Sequence, residues 1–198
     1  DYRDVIFLTN HDQNRLMSEV GNNVDKAKLA ANILFTLPGI PYIYYGEEIG
    51  MKGEKPDEFI REPMLFAPEK EDEMRPKWMK PKYSTDKTVE PAMVQIKEDQ
   101  SLWNHYSRII SLRKDNRALQ YGQFENSSLS NKSIMAYYRI YNQMRVLIIN
   151  NVSATAVTLT KEEKDNELVN PIFQTSKQTT VKGNKITVAP YSTIILTN

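Results

Sequence analysis

An α/β segment followed by an all-β segment is the fold class this sequence predicts, and three observations lead to it. Two short apolar runs, residues 5–8 and 41–45, each pass directly into a polar cluster. A helical periodicity separates them, and near Asn116 the texture changes to short alternating runs divided by turn residues.

Residues 5–8 enter Thr9-Asn10-His11-Asp12, as a buried parallel strand does on reaching its C-terminal end. Residues 24–37 then place Ala27, Ala30, Leu34 and Leu37 at helical spacing, with Asn23 as cap and Pro38-Gly39 as stop. Residues 41–45 repeat the strand pattern and end in Gly46-Glu47-Glu48. The stretch 46–100 holds six of the ten prolines, Pro56, Pro63, Pro68, Pro76, Pro81 and Pro91. Its aromatics Phe59, Phe66, Trp78 and Tyr83 predict a packed loop, because long structureless loops are uncommon in compact domains. Residues 101–114 set Leu102, Tyr106, Ile109, Ile110 and Arg113 on helical intervals behind a Ser101 cap.

A parallel pair with one crossover helix cannot cover both faces of its own sheet. A partial TIM (β/α)₈ barrel follows, its C-terminal quarter, since the full barrel takes about 250 residues and eight strands. From about Leu119 the runs 134–141, 145–150, 156–160, 185–188 and 193–196 are separated by Asn142-Gln143, Asn150-Asn151 and Gly183-Asn184. They predict an antiparallel β-sandwich of roughly 80 residues. The division expected is therefore residues 1–116 for the barrel part and residues 117–198 for the sandwich.

Twenty-six Lys plus Arg against 25 Asp plus Glu leave a net charge of +1, which gives no field for nucleic acid or an anionic membrane and favours a neutral partner. With no cysteine, thiolate catalysis, disulfides and Cys-based zinc sites are excluded. Only His11 and His105 could serve as imidazole ligands. No apolar run approaches the ~20 residues of a membrane span. Asp1-Tyr2-Arg3-Asp4 does not read as a leader peptide but as a chain entered in the middle.

At the rim of a barrel strand, Asn10, His11 and Asp12 stand where such barrels build active sites. Asp accepts and His and Asn donate hydrogen bonds, a set suited to vicinal sugar hydroxyls. A strand-end Asp that only caps the next turn is the competing reading. Asp57 and Arg61 stand four apart, as a ligand-binding pair or as a solvated i, i+4 ion pair. Trp78 and Tyr83 offer stacking faces or anchors for their loop. Tyr137, Tyr138 and Tyr141 are expected to give one face to the sandwich core, His105 to be a surface or packing residue, and the charges at 69–73 to be a solvated loop.

Two longer strings are more specific. Phe7-Leu8-Thr9-Asn10-His11-Asp12-Gln13-Asn14-Arg15 resembles the seventh-strand motif of the α-amylase family of glycoside hydrolases. Residues 38–51, Pro-Gly-Ile-Pro-Tyr-Ile-Tyr-Tyr-Gly-Glu-Glu-Ile-Gly-Met, resemble its eighth strand. Residues 101–114 are similar to the family's last barrel helix, and the sandwich matches its C-terminal domain in position and size.

The resemblance implies retaining hydrolysis of α-glucosidic bonds, with α-glucan or maltooligosaccharide as partner and no cofactor. The nucleophile and the general acid/base would lie on barrel segments absent here, so this chain alone is expected to be inactive. Asp12 corresponds to the third carboxylate, a transition-state stabiliser, and His11 to a donor to the same sugar, with Asn10 beside them. Arg15 would set local charge or touch a neighbouring subsite, and Asp57 and Arg61 would bind glucose on the non-reducing side. Any calcium of the full-length protein would not be held by this chain, and the resemblance favours an extracellular, periplasmic or cell-surface location, with a cytoplasmic one left open. The six residues Arg61-Glu62-Pro63-Met64-Leu65-Phe66 distantly resemble the Arg-Thr-Pro-Met-Gln-Trp motif of oligo-1,6-glucosidases but depart from it at three positions. That relative, a transglycosylase, and a non-catalytic carbohydrate-binding module stay as alternatives. An exposed barrel edge predicts self-association.

Overall fold

The computed structural model describes residues 4–198. Asp1, Tyr2 and Arg3, read above with Asp4 as a non-leader start, lie outside the described residues. Two compact units divide the chain, one of residues 5–31 and 40–109, the other including residues 32–39 and 110–198. The division falls inside two helices, α2 (Val24–Thr36) and α5 (Leu102–Asp115).

In the first unit, β1 (Val5–Phe7) pairs in parallel with β2 (Ile40–Tyr42), Val5 opposite Ile40 and Phe7 opposite Tyr42. Both are shorter than their apolar runs, and after β2 the chain turns at Tyr44, whose carbonyl accepts from Glu47 N at 3.0 Å. Gly46 makes that turn in the left-handed region, at φ 79°, where a Cβ would also lie 2.2 Å from Met51 Sδ. Asn23 Oδ1 accepts from Lys26 N at 3.0 Å, so the expected side chain caps α2. Ser101 Oγ accepts from Asn104 N at 3.1 Å and does the same for α5.

Short elements punctuate the proline-rich stretch: α1 (Leu16–Glu19) precedes it, and within it come the 3-10 turn Glu47–Ile49, α3 (Asp57–Ile60) and α4 (Ala92–Gln95). Its apolar residues Ile49, Met51, Met64, Leu65, Val89 and Ala92 form one cluster. Its polar anchor is Glu62, fully buried, which accepts from Lys82 N at 2.5 Å, Tyr83 N at 2.9 Å and Ser84 N at 2.6 Å. Three backbone donors converging on one carboxylate offset its desolvation and fasten a long loop that has no ladder to hold it. Tyr83 packs edge-on against Phe59 at 5.9 Å, whereas Phe66 and Trp78 are exposed. Half of the expected aromatic anchors therefore hold the loop.

In the second unit, α6 (Arg117–Tyr121) follows α5 behind an Asn116 cap that accepts from Leu119 N at 3.0 Å. The sandwich has a five-stranded antiparallel sheet, built from β3 (Gln123–Asn126), β4 (Ile134–Tyr141), β5 (Met144–Asn151), β7 (Asn170–Gln174) and β10 (Thr193–Thr197) in the order β3-β4-β5-β10-β7. Its three-stranded partner is β6 (Val157–Thr160), β8 (Thr180–Lys182) and β9 (Lys185–Val188), in the order β6-β9-β8. Ile134, Ala136, Tyr138, Leu147, Ile149, Ile186, Val188, Ile194 and Leu196 share one core that draws on both sheets.

Alternate residues of β4, β5 and β10 face the other way and are also buried, Ile148 and Ile195 among them. Residues 32–39 supply polar partners to that second face. Asn32 Nδ2 donates to Thr193 Oγ1 at 2.9 Å, Thr36 Oγ1 and Tyr137 OH lie 2.6 Å apart, and Arg139 Nη1 donates to Thr36 O at 2.6 Å. Arg113 adds bonds to Phe35 O at 2.7 Å and Gly39 O at 2.6 Å. Two guanidinium groups thus satisfy the carbonyls that a helix leaves open at its C-terminus, where the dipole also favours a cation. This explains a sequence texture the alternation rule misses: residues 146–149 read Val-Leu-Ile-Ile because both faces of the strand are covered.

Candidate active site

Pairing between β1 and β2 ends at Phe7 and Tyr42, and the chain beyond Phe7 carries the polar cluster. Asn10 Oδ1 accepts from Asp12 N at 2.8 Å, so Asn10 shapes the turn that presents His11 and Asp12. His11 Nε2 lies 3.2 Å from Asp12 Oδ2, and both side chains are about two-thirds exposed, at 66% and 62%.

Helix α3 and the residue after it come to the same place. Arg61 Nη2 donates to Asp12 Oδ1 at 3.0 Å and to Asp57 Oδ2 at 2.7 Å, while its Nε donates to His11 O at 2.8 Å. The i, i+4 ion pair is therefore formed, and through it Arg61 also bridges Asp57 to the strand tip. Lys55 also pairs with Asp57, and its hydrogen bond, followed by the nearby Arg61 charge, holds the Asp57 carboxyl below the usual carboxylate range. Beside Asp12 opens a cavity of about 460 Å³, lined by Thr9, Asp12, Gln13, Asn14, Glu19 and Lys55. Asn14 is fixed at its edge, donating to Glu19 Oε1 at 2.7 Å and accepting from Lys55 N at 2.8 Å.

Arg15 requires a correction as a candidate sugar contact. Its side chain is 1% exposed and lies 4.3 and 4.4 Å from the ring centres of Tyr44 and Tyr45, with Nη1 donating to Tyr45 O. A guanidinium so covered cannot reach a ligand; it packs on Tyr44 and Tyr45 behind the strand tip. His105 is likewise a packing residue, 2% exposed, its imidazole pulled down to about 3 by burial.

Behind the open cluster lies a buried one that the sequence reading did not single out. Glu47, 3% exposed, accepts from Thr9 Oγ1 at 3.0 Å and from Tyr106 OH at 2.9 Å. Burial pushes its carboxyl up to about 7, the two hydroxyl bonds pulling the other way. Its position in the polar cluster after the second strand was the available signal, and Tyr106 stood on the apolar stripe of α5. Nothing in the sequence marked Lys55.

The open arrangement supplies two carboxylates, an imidazole and two cations, which can hold and orient a polyhydroxylated ligand. Arg61 between Asp12 and Asp57 offsets their repulsion. Among the described residues, no group of three or more His, Asp or Glu is placed to hold a metal ion, and no helix is long and apolar enough to cross a membrane.

Residues 1–122 match the family model for the alpha amylase catalytic domain, and residues 134–195 match that for the alpha-amylase SusG C-terminal domain. Alpha-amylase 3 of Dictyoglomus thermophilum is 36% identical over 196 residues, covering 99% of this chain and 39% of that protein. Alpha-amylase SusG of Bacteroides thetaiotaomicron is 32% identical over 98% of this chain and 29% of its own length. Among solved structures, the alpha-amylase from H. orenii superposes with a TM-score of 0.85 at 32% identity, covering all of this chain and 40% of that one. Proteins named 4-alpha-glucanotransferase and oligo-1,6-glucosidase match as well. The chain thus spans about two-fifths or less of the length of these relatives.

Proposed function

The chain belongs to the alpha-amylase family of glycoside hydrolases, and from that premise we propose that it forms part of a retaining α-glucan hydrolase that cleaves internal α-1,4 bonds of starch or maltooligosaccharides. The observation that carries the reading is the convergence of Asp12, His11 and Asp57 on Arg61 at the end of β1.

The retaining mechanism places two carboxyl groups about 5 to 5.5 Å apart on either side of the anomeric carbon. In this reading both come from barrel segments outside these residues. Asp12 accepts hydrogen bonds from hydroxyls of the distorted sugar, bonds that strengthen as positive charge develops on the ring. His11 donates to the same sugar, and Asn10 sets the turn that aims both. Asp57 and Arg61 hold the neighbouring glucose. Arg61 pre-orients Asp12, so no side-chain rearrangement is required when substrate arrives.

Turnover of a chromogenic maltooligosaccharide by the full-length protein, lost on Asp12→Asn, is the expected result. Undiminished turnover in that variant would sink the assignment. The relatives named oligo-1,6-glucosidase and 4-alpha-glucanotransferase favour a second reading, the same site acting on α-1,6 bonds or transferring glucan to an acceptor. Comparison of isomaltose with maltotetraose, and of hydrolysis with transfer products, separates the two.

A further inference from the structure

Asp12 stands on a short length of chain that has left its sheet. Ladder pairing stops at Phe7. Between Leu8 and the 2.8 Å bond of Arg15 N to Gly53 O, the only backbone–backbone bond among the described residues is the local turn bond of Gln13 N to Asn10 O at 3.3 Å, so side chains tie the strand tip to its surroundings. The innermost of these is Thr9, 6% exposed, three residues before Asp12. Its hydroxyl donates to Glu47 Oε2 at 3.0 Å, and Glu47 Oε1 in turn accepts from Tyr106 OH, 1% exposed on α5, at 2.9 Å. One buried carboxyl therefore ties the strand tip to the helix.

A carboxyl is a costly way to make a structural tie. Burial penalises the charged form, with only a small offset from the Arg15 guanidinium, and a neutral acceptor would bring less desolvation. What the carboxylate adds is strength, since a charge-assisted hydrogen bond is about twice as strong as a neutral one. The backbone that presents Glu47 is fixed by the left-handed Gly46, whose carbonyl accepts from Met51 N at 2.8 Å. The other charged groups around Glu47 are Glu48, next in the chain and buried with it, and the Arg15 guanidinium on the opposite strand tip. Arg15 Nε and Nη2 and Glu48 Oε2 have no hydrogen-bond partner among the described residues.

We propose that Glu47 is a positioning residue for the reaction, acting through Thr9 to hold the strand tip that carries His11 and Asp12, with Tyr106 completing the clamp. The inference rests on the reading of Asp12 given above. Ionised Glu47 accepts from both hydroxyls. When protonated, it must turn one oxygen into a donor, and the bond to Thr9 becomes a neutral one. A looser tip displaces Asp12 from the sugar it stabilises, an effect on the transition state more than on ground-state binding.

Kinetics of the full-length protein on a chromogenic maltooligosaccharide test this, with wild type, Thr9→Val, Thr9→Ser and Glu47→Gln compared from pH 5 to 8 and Asp12→Asn as control. Thr9→Val removes the donor at constant shape and is expected to lower kcat about 10-fold with KM changed less than about 2-fold. Thr9→Ser restores the hydroxyl and the rate. Glu47→Gln is expected to lower kcat several-fold at pH 8 and to abolish an inflection near 7 in the wild-type profile. Should Thr9→Val fail to fold, Glu47→Gln carries the same test through its pH profile. Folded Thr9→Val and Glu47→Gln proteins with wild-type kcat and pH profile would overturn the clamp while a dead Asp12→Asn leaves the functional reading intact. A wild-type protein inert on α-glucans would overturn both.

Discussion

The sandwich and the parallel strand pair solve the same problem with opposite results. Ile148, Ile149, Ile194 and Ile195 of the sandwich are completely buried, and both sheets contribute to its core. In the strand pair, Val5, Phe7, Ile40 and Tyr42 are 47%, 46%, 44% and 58% exposed. The two sheets of the sandwich cover each other's inner faces, and residues 32–39 lie against the outer face of the larger one, whereas a parallel pair with one crossover helix cannot cover both of its faces. Stability is therefore expected to be a property of the sandwich within these residues. The strand pair, by contrast, carries the residues to which the proposed chemistry is assigned, Asp12 and His11.

The largest effect expected follows from that division of labour. In the full-length protein, Asp12→Asn should lower kcat on the order of 10³-fold, the scale of losing an aimed electrostatic partner of the transition state. A substitution on the sandwich exterior such as Lys185→Ala should leave kcat unchanged. A steady-state assay that found the two comparable would break the comparison. The present chain alone should show no turnover. It should also self-associate at micromolar concentration through the exposed strand faces, whereas a variant carrying Phe7→Thr and Tyr42→Thr associates less. A monodisperse monomer in light scattering would contradict this.

Within the sandwich, Ile194→Ala should destabilise by about 2–5 kcal/mol, because the cavity opens in a core closed on both sides. Val5→Ala, on a half-exposed position, should cost less than about 0.5 kcal/mol. Urea unfolding of the present chain measures both, and equal losses would show that the strand pair packs as tightly here as the sandwich core.

How much could be read in advance follows the same line. Helix caps were legible because Asn23 and Ser101 act on neighbours three residues away, and the strand runs were legible from continuous apolar content in β4, β5 and β10 and from alternation in β6 and β9. The strands β3, β7 and β8 were not. Gln123-Phe-Glu-Asn126 is mostly polar, β8 is only Thr180-Val-Lys182, and β7 carries Pro171. A proline is tolerated there because β7 is an edge of its sheet. At the site, Asp12 and His11 stood out by their place at a strand end, and Asp57 with Arg61 by spacing. Their meeting through Arg61 could not be read, since 45 residues separate Asp12 from Asp57 and only the fold closes that distance. Arg15 was misread as a ligand contact because a cation near a helix start gives no sign of which way it points, and here it points inward onto Tyr44 and Tyr45.

A buried acid in each unit sharpens the contrast through pH. Asp165 of the sandwich lies 3.1 Å from Arg145 Nη2 and also accepts from Tyr138, so its charge has an opposite charge beside it. Glu47 is met by the hydroxyls of Thr9 and Tyr106, and burial holds its carboxyl at about 7 against an ordinary value of 4.5. Between those two pH values the folded protein keeps a proton that the unfolded chain gives up. Glu47 thus favours folding most fully at and below about 4.5, and that contribution is lost as pH rises through about 7. Glu47→Gln removes the charge at nearly constant shape. Its stability relative to wild type should therefore climb between pH 5 and pH 8 by on the order of 1–3 kcal/mol, in favour of the glutamine. Urea midpoints of the two proteins across that range give the difference directly. A difference that stays flat would mean that Glu47 keeps its charge throughout. The strand tip would then be held by a fixed carboxylate whose cost is met by groups beyond these residues. A rising difference together with the kinetic loss expected of Glu47→Gln would show stability given up above neutral pH for the placement of Asp12.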